Sequence, residues 1–201
     1  MKGEVSAGRD EGVKTPDRGG VGVGGRGRSP AVGEAGLRLW LPGYHTPSLN
    51  RTAGKHWAKV RRLRLGTAEA LYEALRGQFL VPGALFRVEE AKRVLSKILL
   101  GVPLETRRGK KPEKPKVPAW LRIERVACVL LDEENFKGGT KGLTDLLRYA
   151  FPSVLLDDGP GYVVMEHVQT RCAKRCEEGT WVELRLGVPE GSPTDSGRPA
   201  D

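Results

Sequence analysis

The sequence predicts an α+β fold, a two-layer sandwich in which a small mixed or antiparallel sheet carries helices on one face. Two observations predict it. Apolar and polar residues alternate in "LRLWLPG" near the start and in "YVVMEHVQTRC" and "TWVELRLGV" near the end, as half-buried strands require. Between them, three stretches place their apolar residues near helical spacing, around a β-branched run that reads as a central strand. The order is strand, helix, helix, strand, helix, strand, strand, with no internal repeat.

At 201 residues and 38% hydrophobic content the chain can bury one core, while 27 glycines and 14 prolines indicate that not all of it joins. Residues 1–36 hold many glycines, both signs of charge and almost no large apolar side chain, so they read as a disordered Gly/Arg-rich tail. "GVGGRG" within them fits the dinucleotide fingerprint by chance, since no strand precedes it and no helix follows. Residues 37–188 form the ordered domain, and 189–201, "PEGSPTDSGRPAD", are a second disordered tail.

Order begins with Leu37, Leu39 and Leu41 alternating along a strand, and a loop through "HTPSLNR" follows Gly43. From Gly54 to Arg76, Val60, Leu63, Leu71, Ala74 and Leu75 fall near helical spacing, and Gly77 stops the helix. Residues 78–118 bring a second helix over Val88–Leu100, then "ETRRGKKPEKPKVP", whose prolines and cations make an exposed basic loop. "WLRIERVACVLL", residues 120–131, is the central strand and runs directly into Asp132. Helical spacing resumes with Leu143, Leu146, Leu147 and Ala150 until Pro152, and Gly159, Pro160 and Gly161 turn the chain. The last two strands are antiparallel, joined by "KRCEEG", with Val182, Leu184 and Leu186 facing inward.

Thirty-four Lys and Arg against 25 Asp and Glu give +9 and a pI near 9.7, which favours a polyanion such as nucleic acid, and an anionic membrane surface would attract the same charge. No apolar run reaches membrane-spanning length and no signal peptide opens the chain, so the expectation is a cytosolic protein without a membrane. Lys55, Lys59, Arg61, Arg62 and Arg64, beside His56 and Trp57, fit either a solvated helix face or a phosphate-contacting surface; Lys110 and Lys111 add the basic loop. Cys128, Cys172 and Cys176 lack CxxC spacing and read as reduced thiols, and a zinc site on Cys172, Cys176 and His167 wants a second ligand pair. Aromatic content of 6% disfavours an RNA-binding accessory protein that stacks bases.

The stretch "DEENFKGGTKGLTDLL", residues 132–147, carries the chemistry. If Asp132 and Glu134 extend the central strand, side chains two apart point to one side, and two close carboxylates suit a hard divalent ion, Mg²⁺ first. Lys141 would then lie in the first turn of the next helix, where the helix dipole disfavours a cation unless acids or a bound phosphate offset it. Asp145, four residues on, offers a plain ion pair as the other explanation. Gly138 and Gly139 would let the backbone approach a ligand, or simply form a turn. "GGTKGLTD" lacks P-loop spacing. Asp157 and Asp158, placed on the next strand end, would add a carboxylate if the two strands are neighbours.

"PSLNR", then D-x-[DE]-N, a Gly-rich step, K-x-x-x-D-L-L and "LDDGP" follow one another in an order that resembles the RusA family of Holliday-junction endonucleases, in particular its phage and prophage branch. The likeness covers residues 37–75 and 120–188. It implies a homodimeric endodeoxyribonuclease that uses Mg²⁺, with Mn²⁺ as a substitute, to cut four-way junctions and related branched DNA in a bacterial cytoplasm. Carried over by motif, the catalytic set is Asp132, Glu134, Lys141 and Asp158, with the three acids as metal ligands. Asn135, Asp145 and Asp157 support them, and Asn50 and Arg51 join the basic residues on DNA. Glu134 departs from the family's aspartate by one methylene, and residues 78–118 match nothing in the family. Glu134 therefore keeps a second expectation open, a junction-binding protein that no longer cuts.

Overall fold

The structure, a computed structural model, describes residues 36–48, 57–77, 86–102 and 112–189. The elements are β1 (Gly36–Pro42), α1 (Trp57–Gly77), α2 (Val88–Leu99), β2 (Ala119–Ala127), α3 (Glu133–Ala150), β3 (Val163–Arg171) and β4 (Gly179–Leu186), with one 3₁₀ turn at Arg175–Glu177. They form an α+β fold with a four-stranded mixed sheet in the order β1-β4-β2-β3. β4 runs antiparallel to both β1 and β2, and β2 runs parallel to β3.

Period-two alternation places one row of each strand against the helices. Leu37, Leu39 and Leu41 of β1, Leu121 and Ile123 of β2, and Val182 and Leu184 of β4 meet Leu71 and Leu75 of α1, Leu95 of α2 and Phe136, Leu143, Leu146 and Leu147 of α3 in one buried cluster. Phe86, before α2, meets Phe151, after α3, edge to face at 6.1 Å.

Among the described residues the opposite face of the sheet carries no helix. The register puts Trp40 opposite Trp181 and Trp120 opposite Arg185, and the two tryptophan rings of the first pair lie 5.0 Å apart. Arg38 stands 4.5 Å over Trp181, and Arg122 pairs with Glu124 at 3.2 Å. Stacking between strands and ion pairing along one strand thus serve a face on which Trp120 is buried and Trp40, Trp181, Arg122 and Glu124 are half-buried.

Four expectations need correction. The last two strands are not hairpin partners, because β2, paired along its length on both sides, lies between them, and among the described residues β3 pairs only with β2. β2 ends at Ala127 rather than at Asp132. Arg125 Nη1 donates to Val129 O at 2.7 Å, Leu131 N donates to Gln169 Oε1 at 3.0 Å and Gln169 Nε2 donates to Leu131 O at 2.8 Å, so side chains replace the ladder there. Val129 and Leu130, apolar in sequence, are exposed. At the end of β4, Leu186 is exposed although Val182 and Leu184 are fully buried, and Val60 in the first turn of α1 is exposed as well.

The fourth concerns α3, which starts at Glu133, far ahead of Lys141, so Gly138 and Gly139 are helical rather than a turn. Gly139 is there for space. A Cβ on it would stand 1.7 Å from Pro47 O in the segment after β1, which packs directly on the helix backbone. Gly139→Ala is expected to lower stability by about 1–3 kcal/mol or more through overpacking against main chain. Gly66→Ala on α1, where an added Cβ meets nothing within 4 Å, is expected to raise it by about 0.5–1 kcal/mol. Thermal unfolding of the two variants checks this, and equal shifts would contradict the contact.

Candidate functional site

The two ends of α3 hold the predicted acids, and they hold them for different reasons. At the start, Asp132 is the N-cap: Oδ1 accepts from Asn135 N at 2.9 Å, and Oδ2 accepts from Asn135 Nδ2. Those two bonds, the side-chain one foremost, hold the Asp132 carboxyl below its ordinary range. Glu133 pairs with Lys137 one turn on, and Glu134 is exposed. The same-side argument for Asp132 and Glu134 on a strand is therefore overturned, since neither is in one. Lys141 lies two turns inside the helix, exposed, away from the positive end of the dipole.

At the other end a charged cluster forms. Arg148 Nη1 lies 3.0 Å from Asp157 Oδ1 and 3.4 Å from Asp158 Oδ1, and Asp157 Oδ1 also accepts from Asp158 N at 2.8 Å. Asp145 is half-buried; burial first, and then Asp158, pushes its carboxyl upward, while Arg148, Lys141 and Arg64 act against them. Arg64, from α1, also stands 5.6 Å over the Tyr149 ring. Arg148 is held above its usual value by Asp158, Asp145 and Asp157, which outweigh its desolvation. With Lys141 one turn before Asp145 on the same helix, the structure thus gathers Asp145, Asp157 and Asp158 around Arg148, which the sequence alone did not single out. Its only local signal was a cation three residues after Asp145 on the same helix face.

Asp132 and Glu134 do not join them. Asp132 precedes Asp145 by thirteen residues of one helix, roughly 20 Å along its axis. The sheet gives the same answer. Asp132 lies beyond the C-terminal end of β2, and Asp157 and Asp158 lie in the segment before β3 rather than on a strand end; parallel nine-residue strands separate those ends by roughly 26 Å. Mg²⁺ holds its oxygen ligands at about 2.1 Å, so the carboxylates of one chain do not fit a shared ion.

Of the expected DNA contacts, Lys59, Arg61, Arg62 and Arg64 are exposed on α1. Asn50, Arg51, Lys55, Lys110 and Lys111 lie outside the described residues, as do residues 1–35 and 190–201 of the expected tails, while Gly36 already belongs to β1. The zinc reading on Cys172, Cys176 and His167 does not hold. His167 Nε2 is 3.0 Å from Thr140 Oγ1, with its ring edge to face with Phe136 at 5.6 Å, and burial followed by Lys137 keeps it below its ordinary value. Cys176 is exposed. No helix among the described residues is long and apolar enough to cross a membrane.

No family model, no curated protein and no solved structure matches this chain.

A carboxyl held low in the fold stabilises it above the ordinary carboxylate range and loses that contribution as pH falls through the folded value. Asn caps helices as well as Asp and does not titrate. The melting temperature of Asp132→Asn is therefore expected to fall less steeply than wild type between about pH 5 and pH 2. Superimposable pH profiles would show that the cap does not depend on the charge.

Proposed function

We propose that the chain acts as a pair, as a metal-dependent endodeoxyribonuclease for branched DNA of the RusA kind, whose cutting sites form only between two copies. One observation carries this reading: the acids sit at opposite ends of a single helix whose middle, at Lys141 and Gly142, is exposed. Two copies of α3 running antiparallel about that midpoint would set Asp132 and Glu134 of each copy beside the 157/158 pair of the other. A Cβ added at Gly142 meets nothing within 4 Å among the described residues, so the helix surface is open at that point. A two-fold pair presents two identical sites, which suits a junction with two equivalent strands.

Mg²⁺ belongs to this reading only as an ion held between copies by Asp132 and Glu134 of one and Asp158 of the other. Lys141, exposed near the axis, would meet the phosphate backbone. The cations Lys59, Arg61 and Arg62 on α1 would add sequence-independent grip, in keeping with a net charge of +9. The cytosol is the matching compartment.

The second reading is a junction-binding protein that does not cut. What favours it is that Asp132 is already bonded to Asn135, and Asp157 and Asp158 are paired with Arg148, within one chain.

Mixing variants separates the two. Asp132→Asn and Asp158→Asn are each expected to abolish Mg²⁺-dependent nicking of a labelled four-way junction while still shifting its mobility. Re-associated together, half the pairs carry one intact site, so about a quarter of the wild-type sites should return. No return would place each site within one chain, and no nicking by wild type at any Mg²⁺ concentration would leave the binder. Independently, Lys59→Glu, Arg61→Glu and Arg62→Glu combined should weaken junction binding and lower the salt slope by about one for each phosphate no longer neutralised. An unchanged slope would turn that face of α1 away from DNA.

A further inference from the structure

Away from α3, the sheet brings two cysteines together that the sequence keeps 44 positions apart. Ala127 pairs with Arg171 in the parallel β2–β3 ladder, so Cys128 and Cys172 are the next residues in step, and Cys172 N donates to Ala127 O at 3.2 Å. On the other side of β2, Val126 pairs with Gly179, which brings Glu178 alongside. Glu178 Oε1 accepts from Cys128 N at 2.8 Å, and Glu178 Oε2 stands 3.4 Å from His45 Nε2. The two sulfurs are 3.6 Å apart, and one ligand atom from each of Cys128, Cys172 and Glu178 lies within 4.8 Å of the others.

From this geometry we infer that Cys128, Cys172 and Glu178, with His45 beside Glu178, bind a thiophilic divalent ion of the zinc class. Two sulfurs bound at about 2.3 Å to one tetrahedral ion stand roughly 3.8 Å apart, close to what is seen, whereas a disulfide needs about 2.05 Å. Thiolate donors select zinc over the hard ions that carboxylates prefer. The charges also close. Two thiolates and a carboxylate carry three negative charges, which the ion and the Arg125 guanidinium balance, the two thiol protons leaving to solvent. Arg125 is buried, feels both Glu178 and Cys172, and has no hydrogen-bond partner on Nε. The ion would tie the ends of β2 and β3 to the start of β4 and to the segment after β1, a structural role that does not depend on the proposed nuclease reading.

Cobalt(II) is the probe. The reduced full-length chain is expected to take up one equivalent with a thiolate-to-metal charge-transfer band, which zinc then displaces, and to gain melting temperature with zinc. Cys128→Ser and Cys172→Ser should lose the band and the gain, Glu178→Gln should weaken both, and Cys176→Ser should keep them. Circular dichroism of the metal-free variants confirms that they fold, and Glu178→Gln, which leaves both thiols in place, tests the site if a cysteine variant does not. A reduced wild-type chain without the band would overturn the assignment, as would a band that depends on Cys176 or survives loss of both other thiols. A Cys128–Cys172 disulfide formed in place of the ion would count the same way.

Discussion

β2 is the constraint on which the rest depends. It is hydrogen-bonded on both sides, antiparallel to β4 and parallel to β3, and its core-facing Leu121 and Ile123 are fully buried. A parallel neighbour cannot be reached by a tight turn; the chain must return along the whole strand before β3 begins, and α3 is that return. Eighteen residues of helix span about 27 Å, enough to match a nine-residue strand. Whatever directly follows β2 and whatever directly precedes β3 are therefore at opposite ends of the sheet, however close they look in sequence.

That separation explains how each acid is used within the chain. Asp132 meets the unsatisfied N–H groups of a helix start, the place where an anion is most favoured, and Asn135 reaches back to it with both backbone and side chain. Asp157 and Asp158 meet Arg148 in the last turn of the same helix, where a cation is favoured for the mirror-image reason. Asp145, drawn partly inside, is the least comfortable of the set, and its neighbours Lys141, Arg64 and Arg148 keep it from standing alone. The helix dipole thus sorts the charges, and a nuclease reading requires a second copy to bring the sorted ends together.

The element order and most of the core were legible because period-two and helical patterns in Leu37 to Leu41, Leu71 to Leu75 and Leu143 to Ala150 report burial directly. What stayed hidden was fixed by distant partners. Gly138 and Gly139 look like a turn, and only the carbonyl of Pro47, remote in sequence, shows why a helix keeps the second of them bare. Val129 and Leu130 look like strand, yet Arg125 takes the carbonyl of Val129 and Gln169 the backbone groups of Leu131, and both apolar side chains are exposed. The pairing of Cys128 with Cys172 could not be read from spacing at all, because it exists only through the β2–β3 register.

The same register gathers chemistry at one end of the sheet. The last residues of β1, β2 and β3 and the first of β4 share that end, since Pro42 pairs with Gly179, Gly179 with Val126, and Ala127 with Arg171. Gly43 N donates to Glu178 O at 2.9 Å, and Thr180 Oγ1 donates to Tyr44 O at 2.9 Å, so the segment after β1 is fixed to β4 before it crosses to Gly139 on α3. In sequence that segment leads on to Asn50 and Arg51, which the proposed nuclease reading places on DNA. An ion at Cys128, Cys172 and Glu178 would stiffen the same route from His45. Soft donors at the sheet end and hard carboxylates at the helix ends would then divide the work, one ion holding the chain's path and the other, between copies, meeting the DNA.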